Sequence, residues 1–122
     1  MKPGHAGFTR VLKATQYSMQ GLKAAWQHES AFRQECVIAA LLTPLAFWLG
    51  ESAVQISLMI GVLVLVLIVE LLNSAIEAAV DRVSEEQHDL AGRAKDMGSA
   101  AVAISLLLVL FTWGAVAWQR FV

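Results

Sequence analysis

A run from Ala53 to Val69 carries no charge, and it leads into four polar residues, Glu70, Asn73, Glu77 and Asp81. Continued through Ile76, the run is long enough to cross hydrocarbon, which takes about 20 residues. Helical steps of three and four residues return to one face. The spacings here are three, four and four, which puts all four side chains within roughly a quarter of the helix circumference. Ionised carboxylates at the edge of hydrocarbon are costly unless they are paired or hold a cation. A helix with this stripe must turn it towards protein, a cation or water.

Two other stretches are free of charge, Cys36 to Gly50 and Met97 to Trp118. The first reaches spanning length when the turn from Ala31 to Glu35 is added. The reading is therefore three transmembrane helices, because a soluble domain of 122 residues could not hide so much apolar surface. Nine basic and ten acidic residues leave a net charge of −1, which gives no argument for nucleic-acid binding. Cys36 is the single cysteine, so an internal disulfide is excluded and no thiolate metal cluster is available. Its place before an apolar run fits a small packed residue better than a nucleophile. Four tryptophans suit anchoring at headgroup level.

Lysine and arginine set the orientation. Lys2, Arg10, Lys13, Lys23 and Arg33 precede the first span, and Arg82, Arg93 and Lys95 lie between the second and third. The turn from Gly50 to Ser52 has neither. The positive-inside rule places the N-terminus and the 82–95 connection in the cytoplasm, and the Gly50 turn and C-terminus outside, with Arg120 the exception. The first residues lack an apolar h-region and a cleavage pattern, so no leader is expected.

Residues 9–27 read as an amphipathic helix. Phe8, Val11, Leu12, Thr15, Met19, Leu22 and Trp26 repeat at three- and four-residue steps, with Arg10, Lys13, Gln16, Gln20 and Lys23 elsewhere on the wheel. Basic residues opposite an apolar stripe suit a helix lying on the inner leaflet; the alternative is a helix that docks on a soluble partner. Pro44 sits inside the first span, where neighbouring helices can accommodate a kink. Residues 84–92 read as a polar segment. Gly98, Ser99, Ala100, Ala101 and Ala103 allow close helix approach at the start of the third span. The expected fold is an all-α membrane protein, a single domain over 1–122. Its surface helix covers about 9–27 and its transmembrane helices about 31–50, 53–80 and 96–118.

The cytoplasmic side gathers Arg10, Glu29, Arg33, Glu35, Glu70, Asn73, Glu77, Asp81, Glu86, His88, Lys95 and Asp96. Acids on separate helices suit a hard cation. Magnesium usually takes one or two carboxylates and completes its octahedron with phosphate oxygens and water. Arg10, Lys95 and His88 are placed to offset polyphosphate charge. A carboxylate deeper in the membrane can meet a lipid hydroxyl, which completes the parts for phosphoryl transfer at an interface. There is no P-loop and no kinase-type glycine loop, so a nucleotide site must be built otherwise. Plainer readings stand beside this one: Glu70 as interhelical hydrogen-bonding glue, and Glu77 and Asp81 as the wet end of a helix.

The string Glu70-Leu-Leu-Asn73-Ser-Ala-Ile-Glu77-Ala-Ala-Val-Asp81-Arg82, then His88 and Gly92-Arg93-Ala-Lys95-Asp96-Met-Gly98-Ser99-Ala-Ala-Val102, closely resembles the small integral-membrane diacylglycerol kinases of Gram-negative bacteria. Gly7-Phe8-Thr9-Arg10, Ala24-Ala25-Trp26, Glu29 and Ala31-Phe32-Arg33-Gln34-Glu35 fit the same family. The likeness runs from about Gly7 to Trp118.

The resemblance implies a homotrimer in the bacterial inner membrane, with the N-terminus cytoplasmic and the C-terminus periplasmic. It implies transfer of the ATP γ-phosphoryl group to diacylglycerol, giving phosphatidic acid, with ATP used as its Mg2+ complex. It makes Glu70 the general base and gives the metal to Glu29 and Glu77. Nucleotide contacts fall to Arg10, Tyr17, Glu86, Gln87, His88, Lys95 and Asp96, beside the two metal ligands. Lipid contacts on the surface helix fall to Arg10, Ala14, Ser18, Met19, Lys23 and Trp26. Further lipid contacts fall to Ala31, Arg33, Gln34, Glu35, Trp48, Glu70, Ser99 and Trp113. Asn73 and Asp81 support the set. Met19, Gln87 and Ile56 depart from the family pattern: the first stands for a tryptophan, the second for an aromatic, and the third for a basic residue that can occur there. One rival is an undecaprenol kinase on the same scaffold. Another is a non-enzymatic membrane assembly subunit, against which Glu29, Glu70, Glu77, Lys95 and Asp96 together argue.

Overall fold

The computed structural model describes residues 7–83 and 88–122, and these form four helices: α1 (Phe8–His28), α2 (Ser30–Leu49), α3 (Ala53–Val83) and α4 (His88–Phe121). The protein is all-α, and α2, α3 and α4 are each long and apolar enough to cross a membrane. At about 1.5 Å per residue, the 34 residues of α4 extend some 50 Å, well beyond a hydrocarbon core of about 30 Å. The surplus is polar. Residues 88–92, read above as part of a polar segment between spans, are the first turns of α4, with Asp89 in the first turn. An acid there favours the positive end of the helix dipole, and a helix projecting into water satisfies its own backbone.

Local chemistry explains the boundaries. Gly7 enters α1 at φ 66°, a region open to glycine. Between α1 and α2 the chain breaks at Glu29, whose backbone is extended (φ −117°, ψ 103°). The guanidinium of Arg33 reaches back across this break and donates to the carbonyls of Trp26 (2.7 Å) and Gln27 (3.3 Å). Those carbonyls are among the four that a helix end leaves without partners. Helix α2 continues through Pro44. Ser52 opens α3: its hydroxyl accepts from the Gln55 N–H (3.1 Å), while the Gln55 side chain accepts from the Glu51 N–H (2.8 Å). The same amide donates to Gln119 (2.9 Å), tying α3 to α4 at the Gly50 end.

Helix α3 is the central element, packed against both α2 and α4. At the Gly50 end Ala46, Leu49, Met59 and Val116 form the apolar core, with Ile60, Trp113 and Ala117 against it. At the other end the buried residues of α3 are polar: Glu70, Asn73 and Ser74. Long apolar side chains such as Leu41, Ile104, Leu110 and Phe111 stand mostly exposed around the spans, which suits contact with lipid tails or another apolar helix. Along α1 only Ala25 is buried, and its apolar stripe is open.

Candidate functional site

Glu70 is buried, with 6 % of its surface exposed, at the polar end of α3. One turn further on, the hydroxyl of Ser74 lies 3.3 Å from Glu70 Oε2 and 3.3 Å from Glu29 Oε1. The break between α1 and α2 thus delivers one carboxylate to the other through a single serine. Glu35 comes from α2 to the same place: its carboxyl meets that of Glu70, and its Oε1 is buried without a hydrogen-bond partner. Carboxyl groups so close need a cation or a shared proton between them.

The donor set fits magnesium. Among the described residues no three acidic, histidine or cysteine side chains converge tightly enough to cage a metal by themselves. Magnesium does not require such a cage; one or two carboxylates with phosphate oxygens and water suffice. Glu29 is half-buried and within reach of the Glu70 end, and Glu77 follows Ser74 by one turn on the same face of α3. These oxygens are hard donors, and the Glu35 carboxyl stands beside Glu70.

The far end of the stripe is wetter. Asp81 Oδ1 pairs with Lys95 Nζ at 2.7 Å across α3 and α4, both side chains largely exposed. Asp96, Arg93 and Asp89 line a shallow polar depression of about 500 Å³ on α4. An apolar-walled groove of about 710 Å³ runs between α1 and α3, from Ser18 and Leu22 to Glu29, Ser74 and Ala78. It reaches the Glu29 carboxylate and the Ser74 side chain.

Asn73 is buried against α4, where Gly98 presents no side chain: a Cβ on Gly98 would collide with the Asn73 side-chain oxygen. That oxygen has no hydrogen-bond partner.

Not all expected site residues gather here. Arg10, Ala14, Tyr17, Met19, Lys23 and Trp26 stand exposed on α1, as do Ala31 and Gln34 on α2. The Ser18 hydroxyl is taken by the Ala14 carbonyl. Arg33 spends its guanidinium on the end of α1. Ser99 is exposed beside Gly98. Trp48 and Trp113 belong to the opposite end. Trp48 lies thirteen residues, about 20 Å of helix, beyond Glu35, with the Arg120 guanidinium 5.1 Å from its ring centre. Trp113 donates its indole N–H to the Met59 carbonyl (3.2 Å). Only the distal part of a lipid chain held near Glu70 could reach them. Glu86 and Gln87 lie outside the described residues, and His88 opens α4. The stripe as read from sequence omits Ser74, although position 74 shares its face, four residues after Glu70 and three before Glu77. Serine is neutral and common in membrane helices, so its type carried no signal; its spacing did.

A family model described as prokaryotic diacylglycerol kinase matches residues 16–117. The chain is 53 % identical over 115 residues to a diacylglycerol kinase of Escherichia coli (strain K12), with 94 % of each chain covered. It is 52 % identical over 110 residues to one from Haemophilus influenzae, covering 90 % of this chain and 93 % of that one. To one from Pseudomonas aeruginosa it is 51 % identical over 113 residues, covering 93 % and 92 %.

Proposed function

The chain belongs to the prokaryotic diacylglycerol kinase family, and from that premise we propose that Glu70 is the base in phosphoryl transfer from ATP to the free hydroxyl of diacylglycerol. The protein is a membrane lipid kinase. The observation that carries the assignment of the base is the buried Glu70 carboxylate, approached by Ser74, Glu29 and Glu35 where the α1–α3 groove opens.

In this reading diacylglycerol enters sideways from the inner leaflet and lays a chain along the groove. Its hydroxyl meets Glu70, which accepts the proton. A carboxylate is a weak base for an alcohol, so the proton leaves late, as a loose transition state permits. Glu29 and Glu77 would hold magnesium with the nucleotide, and the cation, when bound, would offset charge on the phosphate oxygens. Lys95 stands on the wet side of the stripe, paired with Asp81 until polyphosphate competes for it. Held substrates react faster because the encounter is intramolecular, and oriented charges stabilise the transferring group.

The same reading sets the protein in the bacterial inner membrane with its N-terminus cytoplasmic and C-terminus periplasmic. The active unit is a homotrimer. The open stripe of α1 and the exposed apolar faces of the spans support assembly, since one chain encloses its polar end incompletely.

Purified protein in mixed micelles with labelled ATP and either diacylglycerol or undecaprenol tests the acceptor. Phosphorylation of diacylglycerol is expected, and phosphorylation of undecaprenol alone would overturn the reading. Glu70→Gln keeps size and hydrogen bonding but cannot take a proton. Turnover should fall by about 100-fold or more, within or beyond the range general-base catalysis contributes, with nucleotide affinity preserved. Retention of most turnover removes Glu70 as base.

A further inference from the structure

Serine and threonine hydroxyls on apolar helices ordinarily donate to their own backbone. Four among the described residues do so: Thr15 to Val11 (2.9 Å), Ser18 to Ala14 (2.8 Å), Thr43 to Ala39 (2.7 Å) and Ser105 to Val102 (2.7 Å). Ser74 differs. It is buried, and its hydroxyl is turned to two side-chain carboxylates from different elements, Glu70 on its own helix and Glu29 at the α1–α2 break. A hydroxyl has one proton to donate. With two anionic acceptors at equal 3.3 Å distances, it can serve only one fully at a time.

We propose that Ser74 is a positioning residue that couples Glu29 to Glu70: when a cation occupies the Glu29 oxygens, the Ser74 proton turns to Glu70 and fixes its carboxylate for the lipid hydroxyl. The inference rests on the assignment of Glu70 as base and Glu29 as cation ligand. Before nucleotide binds, the hydroxyl is divided between the two carboxylates, and Glu70 receives its proton only in part. Once Glu29 is engaged, its oxygens no longer compete for the proton. The base is then oriented only when the phosphoryl donor is present, which disfavours idle contact between Glu70 and lipid.

Two substitutions separate this from a merely structural contribution. Ser74→Ala removes the donor and little volume. Ser74→Thr keeps the hydroxyl, and its added methyl has room because Ser74 lines the α1–α3 groove beside Ala75 and Ala78. A lost hydrogen bond to a charged group predicts that kcat of Ser74→Ala falls about 10- to 100-fold. KM for ATP should stay within about twofold, because in this scheme Ser74 touches neither the nucleotide nor the cation and acts through Glu70. Ser74→Thr should return kcat to within about threefold of wild type, a smaller deficit than one lost charged hydrogen bond produces.

The second readout needs no turnover. The Glu70 carboxylate stretch is identified by infrared difference against Glu70→Gln. In wild type and Ser74→Thr it should shift when magnesium and a non-hydrolysable ATP analogue are added. In Ser74→Ala that shift should vanish while the analogue still binds. An unchanged shift in Ser74→Ala overturns the coupling, as does kcat within about threefold of wild type. Equal loss of kcat and analogue affinity would place Ser74 in the nucleotide site and also overturn it. Failure of Ser74→Thr to restore kcat in a stably folded protein does the same. Glu70→Gln run in parallel distinguishes failures: if it stays active, the base assignment falls; if it is inactive while Ser74→Ala is active, only the coupling falls.

Discussion

Gly98→Ala should reveal how tightly α3 and α4 meet beside the polar stripe. Two effects oppose each other. Alanine in a helix interior is favoured over glycine by about 1 kcal/mol. Its Cβ, however, would collide with the Asn73 side-chain oxygen and lie 3.3 Å from Asn73 Cγ. Asn73 is 8 % exposed, so relief requires turning its amide towards the neighbouring cleft lined by Leu72, Ile76 and Met97, or parting the helices. Overpacking of this kind costs about 1–3 kcal/mol. The net expectation is a loss of about 1 kcal/mol. In an Asn73→Ala background the obstructing amide is gone, and the same substitution should stabilise by up to about 1 kcal/mol. The sign therefore reverses, with a coupling of about 2 kcal/mol between the two sites. Reversible unfolding in mixed micelles, driven by rising denaturing-detergent fraction and followed by circular dichroism, measures all four corners of the cycle. If Gly98→Ala has the same effect in both backgrounds, within about 0.5 kcal/mol, the close approach of Asn73 to Gly98 is refuted.

Three further outcomes are expected. Glu29→Gln and Glu77→Gln should each raise the magnesium concentration needed for half-maximal activity at fixed ATP, because the amide is a poorer ligand for a hard cation; unchanged metal dependence in both would remove them as ligands. Gly50→Ala should destabilise by about 1–3 kcal/mol without changing KM for ATP, since a Cβ there meets Ile56 Cγ1 at 2.6 Å and the Ala46 carbonyl at 3.1 Å, far from the carboxylates; a shift in KM would link that turn to the site. Glu70→Gln chains dissociated and reassembled with Lys95→Ala chains should regain activity if one site draws on two subunits. Glu29, Ser74 and Glu70 already meet within one chain, so the subunit boundary is sought at Lys95. No recovery, with a monomeric mass for active protein, defeats the shared site.

The sequence by itself determined the class of solvent and the periodicity. Charge-free runs of spanning length require helices, because hydrocarbon offers no partner to an unsatisfied backbone. Steps of three and four residues placed Glu70, Asn73, Glu77 and Asp81 on one face before any contact was known. The motif from Glu70 to Val102 carried the family. Residues 88–92 were harder to read: polarity alone resembles a loop, and only the continuous backbone of α4 shows a helix extending past its apolar stretch. Tertiary structure decided which distant residues meet. Glu29 reaches Glu70 only because the chain breaks between α1 and α2, and Ser74 joins them because that break lies opposite its turn of α3. The resemblance gives Arg33 a lipid contact, and the fold shows its guanidinium closing the carbonyl end of α1. The resemblance groups Trp48 and Trp113 with the lipid contacts, and only the fold shows that they stand at the Gly50 end, beside Arg120 and Met59. Spacing along a helix is fixed by covalent geometry, so sequence shows it. Contact between helices depends on how the chain turns and packs, which no single helix encodes.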